Sequence, residues 1–78
     1  MRATIWTKPN CSFCVLAKKL FEQNNIDFEE KEVNDESIFE FVESFPGAKT
    51  VPQITLDNLV VGGYSDLVEK LKSTEESK

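Results

Sequence analysis

Residues 7–14 read Thr7-Lys8-Pro9-Asn10-Cys11-Ser12-Phe13-Cys14, and Cys11 and Cys14 are the only cysteines in the chain. Upstream, Ala3 to Thr7 is rich in β-branched and aromatic residues and predicts a strand. Pro9-Asn10 punctuates it. Downstream, apolar residues recur at Phe13, Leu16, Ala17, Leu20 and Phe21, the spacing of one helix face, and Asn24-Asn25 ends that helix. The cysteines therefore fall where a strand hands over to a helix. A helix start carries unsatisfied N–H groups and a partial positive charge, which favour a thiolate over a thiol, and the thiolate is the reactive form of sulfur. One helical turn separates the two side chains, about 5–6 Å between Cβ atoms. That is near the separation a disulfide needs, so the pair can close and reopen with little backbone movement.

The rest of the chain supplies a small α/β frame. Ile26 to Val33 predicts a weaker strand, whose Glu29-Glu30 and Glu32 suit an edge position. Asn34-Asp35 is the expected cap of a second helix that buries Ile38, Phe41, Val42 and Phe45, with Phe39 left unassigned; Pro46-Gly47 stops it. Val51 to Leu56 and Leu59 to Val61 predict two strands joined by an Asp57-Asn58 hairpin turn. Gly62-Gly63 breaks the last strand, and Tyr64, Leu67, Val68 and Leu71 mark a final short helix. Ser73 to Lys78 is polar and is expected to fray. The order is β-α-β-α-β-β-α. A helix between the first two strands implies a parallel pair with a right-handed crossover, and the last two strands form an antiparallel hairpin. A four-stranded mixed sheet flanked by three helices follows.

Composition narrows the function. Seventy-eight residues make one small domain, spanning 1–78. A net charge of -5 argues against a nucleic-acid partner. The sign is uneven: Lys8, Lys18, Lys19 and Lys49 lie near the cysteine segment and the segment around Val51, whereas Asp and Glu crowd between Asp27 and Glu43. A locally basic site on an acidic body suits an anionic small substrate, and the acidic stretch is either a selector of basic partners or a solvated face. Met1-Arg2 leads straight into strand-like sequence, and no apolar run approaches the roughly 18 residues that span a bilayer. The expectation is a cytoplasmic protein with no membrane partner, and in a reducing compartment a close cysteine pair is catalytic or metal-binding more often than structural. With no histidine in the chain, Ser-His and Cys-His catalysis are excluded. Two cysteines alone do not close a structural zinc site, which would require a dimer.

Three segments taken together resemble the glutaredoxins, a family of the thioredoxin-like fold, over roughly Ala3 to Lys72. They are Thr7 to Cys14, Lys49-Thr50-Val51-Pro52-Gln53-Ile54, and Val61-Gly62-Gly63-Tyr64-Ser65-Asp66-Leu67. The resemblance implies Cys11 as nucleophile and Cys14 as resolving thiol. It implies a cis Val51-Pro52 bond, with the Val51 backbone pairing with the cysteinyl part of glutathione like an added strand. Lys8 would meet the glycyl carboxylate. The backbone N–H groups of Tyr64, Ser65 and Asp66, with the Asp66 carboxylate, would hold the γ-glutamyl end. Phe13, Thr50 and Gly63 complete the implied glutathione-binding set. Each residue also has a plainer reading. Cys14 serves as a buried structural thiol, Lys8 as a surface lysine, Phe13 as core, Thr50 as a strand start, Pro52 as a trans edge-strand proline, Gly62-Gly63 as a strand terminator, and Asp66 as a partner of the helix dipole.

Many dithiol members carry proline and tyrosine between the cysteines, where this chain has Ser12 and Phe13. Ser12 restores a backbone N–H and brings a hydroxyl toward the Cys11 sulfur, and both features help a thiolate. In some relatives a small residue there accompanies a [2Fe-2S] cluster; the resemblance implies that such a cluster would here use Cys11 from each of two protomers plus two glutathiones. The function implied is a glutathione-dependent thiol–disulfide oxidoreductase, a monomer. It acts on disulfide-containing or glutathionylated proteins, ribonucleotide reductase being a frequent client of the family. Cys11 would titrate in the range of about 3.5–7.5 seen for activated cysteines. The alternatives are a redoxin reduced by thioredoxin reductase, a cluster carrier, and an interaction domain with an inert cysteine pair.

Overall fold

The computed structural model describes residues 2–48 and 50–76, with side chains described as far as Lys72. Its elements are β1 (Arg2–Thr7), α1 (Ser12–Gln23), β2 (Asp27–Glu32), α2 (Ile38–Ser44), β3 (Gln53–Leu56), β4 (Leu59–Gly62) and α3 (Tyr64–Glu76). The sheet order is β2-β1-β3-β4. β1 pairs parallel with β2, and β3 is antiparallel to both β1 and β4. This is the mixed sheet the element order requires, and β2, the strand richest in glutamate, lies at an edge. There its side chains and unpaired backbone groups reach water.

Period-two alternation along β1 divides the interior into two cores. Ala3 and Ile5 point to one side, where Ala17 and Phe21 of α1, Ile54 and Leu56 of β3, and Leu67 and Leu71 of α3 close over them. Trp6 points to the other side and joins Val33, Phe41 and Phe45. The Trp6 and Phe41 rings meet edge-on at 5.6 Å, an arrangement worth about 0.5–1.5 kcal/mol beyond burial. Helices thus cover both faces, α1 and α3 on one and α2 on the other.

Several local expectations shift. The buried stripe of α1 runs through Cys14, Ala17 and Phe21; Phe13 is 58% exposed and Leu16 is also exposed. Each residue turns the helix by about 100°, so a stripe centred on Cys14 carries Phe13 off the sheet. The small Ala17 lets the helix lie close against the strands. α2 begins at Ile38 with Ser37 at its cap position. Asn34 does not cap it, because its side chain instead accepts the N–H groups of Glu36 and Ser37 in a local turn. Of the four residues expected to be buried there, Phe41 and Phe45 are, whereas Ile38 and Val42 are exposed. A seven-residue helix packed on one tryptophan has a single narrow buried face.

β3 starts at Gln53, two residues later than expected, because Pro52 has no N–H to give the ladder. The Asp57-Asn58 hairpin has both residues at positive φ, 50° and 67°, the combination of a type I′ turn. α3 runs from Tyr64 to Glu76, so the backbone from Ser73 to Glu76 is helical. Ser77 and Lys78 lie outside the described residues. Among the described residues no helix is long and apolar enough to cross a membrane.

Candidate active site

The site is assembled from three chain ends that the sheet brings together: the end of β1 with the start of α1, the loop entering β3, and the start of α3. Cys11 occupies the cap position of α1 with an extended backbone, φ -103° and ψ 105°, and its Sγ accepts the backbone N–H of Cys14 at 3.1 Å. Sulfur thus takes the place of the capping oxygen, so one orphan donor of the helix start is spent on holding it. The same interaction stabilises negative charge on Cys11 when the thiol is free. Cys11 and Cys14 are joined as a disulfide with Cα atoms 5.2 Å apart. They are not equivalent. Cys11 is partly exposed, whereas Cys14 is 2% exposed, on the buried stripe of α1. An attacking partner in solution therefore meets Cys11 first.

The residues named from the sequence fall mostly on one flank of Cys11. The Val51-Pro52 bond is cis, and the Val51 carbonyl oxygen lies 3.9 Å from the Cys11 Sγ, within reach of the thiol as donor once the disulfide opens. Gly63 sits beside Pro52, so a Cβ at Gly63 would lie 3.6 Å from the Pro52 carbonyl. The Gly63 N–H donates to the Asp66 carboxylate at 3.0 Å, so Asp66 ties down the start of α3 with its own side chain. The Phe13 and Tyr64 rings meet at 5.8 Å, joining the starts of α1 and α3 across the site. Thr50 and Ser65 are exposed; the Thr50 carbonyl accepts the Gln53 side-chain amide at 3.0 Å. The Ser12 hydroxyl, expected near the sulfur, makes no hydrogen bond to it; the Cys14 N–H serves that role. Lys49 lies outside the described residues.

Lys8 stands apart from this group. It lines a groove on the other flank, together with Thr7, both cysteines, Lys18 and Glu30. Inside it the Thr7 hydroxyl donates to Glu30 at 2.8 Å and the Lys18 ammonium reaches both Glu30 oxygens at 3.2 Å. The Thr7 hydrogen bond, reinforced by Lys18, holds the Glu30 carboxyl below its ordinary value of 4.5, outweighing the opposing effect of burial. Thr7, Lys18 and Glu30 were not expected to act together. The one available signal was a polar residue closing an apolar strand, and it does not name a partner 23 positions away. For a shared metal cluster, Cys11 is the accessible sulfur. Among the described residues no three Cys, Asp or Glu side chains gather to hold a metal ion within the chain.

A disulfide seated at a helix start, beside the backbone that enters a cis-proline, on a mixed sheet in this order, defines a thiol–disulfide oxidoreductase of the thioredoxin-like fold. Known proteins narrow the class. The Glutaredoxin family model matches residues 3–61. Glutaredoxin 1 of Rickettsia prowazekii is 41% identical over 66 residues, covering 81% of this chain and 70% of the relative. Glutaredoxin 1 of Rickettsia felis is 40% identical over 68 residues, 83% of this chain and 67% of the relative. The chain thus spans about two thirds of the length of these relatives. Among solved structures, Glutaredoxin 1 from Francisella tularensis, crystallised with cacodylate, superposes with a TM-score of 0.78 at 32% identity, covering 96% of each chain. Reduced Escherichia coli glutaredoxin superposes with a TM-score of 0.73 at 27% identity, over 97% of this chain and 99% of that one. The chain belongs to the glutaredoxin family.

Proposed function

We propose that the protein uses glutathione to reduce glutathione mixed disulfides and protein disulfides. The carrying observation is the Val51 backbone beside the Cys11 sulfur, continuous with the start of α3. An extended peptide laid along Val51 finds main-chain partners there. A carboxylate at its far end meets the free N–H groups and positive end of a 13-residue helix. Glutathione has that shape, with a cysteine between two carboxylate ends.

With a glutathionylated protein, the Cys11 thiolate attacks the glutathione sulfur. The bond between the two substrate sulfurs breaks, the protein leaves as a thiolate that takes up a proton, and Cys11 is joined to glutathione. A second glutathione thiolate attacks that mixed disulfide, releasing Cys11 and glutathione disulfide. With a protein disulfide, Cys11 becomes linked to one substrate sulfur. Cys14 then loses its proton and attacks Cys11, returning both electrons to the substrate as two thiols and closing Cys11–Cys14. Two glutathiones reopen it. The burial of Cys14 suits this second role, since it is reached from Cys11 and not from solvent.

The test is a comparison of electron donors. Reduction of a small glutathione mixed disulfide is followed with glutathione and glutathione reductase, then with thioredoxin reductase in their place. Turnover with the first system alone supports the proposal. Turnover only with thioredoxin reductase would transfer the chain to the redoxin reading.

A further inference from the structure

The acidic stretch forms a surface that begins beside the disulfide. From Asp27 to Glu43 the chain has eight acidic residues and one basic, Lys31, although the whole chain carries only -5. The remaining residues are therefore slightly positive. Lys31 is not free: its ammonium binds Glu40 at 2.8 Å and lies 5.4 Å over the Trp6 ring. Hence the stretch offers no unengaged cation. Its path is continuous with the groove. Glu32, which lines the groove with the cysteines, closes β2, and its carbonyl accepts the Ser37 hydroxyl at 2.6 Å, seating the start of α2 there. α2 then presents an apolar strip to solvent. Phe39 is 78% exposed, and Ile38 and Val42 are exposed beside it. Val42 lies four residues beyond Ile38 and three beyond Phe39, the spacing of neighbours on a helix surface, and Asp35 and Glu36 before the helix and Glu43 within it are exposed.

We propose that this face of β2 and α2 docks the polypeptide of the disulfide substrate, and that the fitting polypeptide is basic with a large apolar side chain near its cysteine. The proposal rests on the oxidoreductase reading and names its substrate class. While the glutathione part occupies the Val51 flank, the protein part leaves Cys11 along the groove past Glu32 and onto α2. Phe39 and Val42 take its apolar side chain, and Asp35, Glu36 and Glu43 take its cations. A second copy of the chain is a poor occupant, because it would set carboxylates against carboxylates.

The probes are two glutathionylated peptides of identical length, one with lysines and a leucine flanking the cysteine, the other with glutamates in place of the lysines. The cationic peptide is expected to be reduced with a kcat/KM on the order of tenfold higher at low salt, a ratio that falls toward one at high salt. Each rate is normalised to a small mixed disulfide measured with the same protein sample. Glu36→Lys with Glu43→Lys is expected to erase or invert the ratio. Phe39→Ser is expected to lower kcat/KM for the cationic peptide even at high salt, where the apolar contact remains. Equal rates for the two peptides at low salt, or a preference untouched by the charge reversal, overturn the docking surface while leaving the oxidoreductase reading intact. A dimer in sedimentation that Phe39→Ser dissolves also overturns it, by giving the face to a second copy. Failure to reduce the small mixed disulfide as well removes the reading on which the inference rests.

Discussion

On one side of Cys11 the protein offers main chain; on the other it offers side chains. The first flank consists of the Val51 carbonyl, 3.9 Å from sulfur, the backbone at Pro52 and Gly63, and the start of α3, which Asp66 holds in place. The second consists of Thr7, Lys8, Lys18, Glu30 and Glu32, and it opens onto the acidic face of β2 and α2. Main-chain groups are the same whatever the sequence, so a site built from them suits a ligand that never changes. Side chains vary, so a site built from them suits choosing among clients. On the proposed reading, a disulfide between two such flanks would couple a common reductant to a particular set of substrates.

The largest expected effect lies at the sulfur common to both flanks. Cys11→Ser is expected to bring exchange to background for every substrate, measured by glutathione-coupled turnover; residual turnover through Cys14 would place the nucleophile elsewhere. Next is the first flank's scaffold. Gly62 has φ 115°, and a Cβ there would lie 2.5 Å from the Asp66 carboxylate oxygen. Gly62→Ala must strain the backbone and displace the cap of Gly63, and is expected to cost about 1–3 kcal/mol. In a domain of this size that lowers the thermal midpoint by about 4–8 °C per kcal/mol. An unchanged midpoint would mean that the turn is not fixed by this contact.

The groove flank should respond more mildly. Thr7→Val removes the larger of the two hydrogen-bonding partners that lower the Glu30 pKa and leaves Lys18 in place. The loss is expected near or below about 1 kcal/mol, because Glu30 is well exposed and solvent screens it. Its pH dependence carries the sign. The folded-state pKa of Glu30 is depressed, so its contribution is present above the ordinary value of 4.5 and is lost as pH falls through the folded value. The difference in denaturant midpoint between wild type and Thr7→Val should therefore shrink at acid pH. A difference constant from neutral to acid pH would assign the effect to packing alone. The smallest change is expected at Lys31, whose pKa is raised by its bond to Glu40. Glu40→Gln should cost no more than a few tenths of a kcal/mol. What it does remove should be present below 10.5, the ordinary value of Lys31, and vanish as pH rises through the raised folded value.

The two flanks also differ in how much of them the sequence reveals. The first is written in local signals: cysteines three apart at a helix start, a proline before a strand, paired glycines before a helix. Each of these acts through backbone geometry within a few residues. The groove flank is long-range. Thr7 meets Glu30 only because β1 and β2 pair in parallel, and neither residue announces the other. The burial errors have the same origin. The spacing of Phe13 and Leu16 is correct for a helix, yet the choice of buried stripe depends on how α1 sits on the sheet, which periodicity alone leaves open. Ile38 and Val42 of α2 fit a buried face equally well, but the sheet beneath supplies only Trp6 and its neighbours to cover Phe41 and Phe45.

The expected division of labour is between an accessible Cys11, which attacks, and a buried Cys14, which resolves. It is tested most directly by Cys14→Ser, assayed side by side on a glutathione mixed disulfide and on a protein disulfide with glutathione as reductant. The variant is expected to keep turnover on the first substrate, where glutathione finishes the cycle, and to lose most of it on the second, where Cys14 must resolve the bond. Loss of both activities, or retention of both, would contradict it.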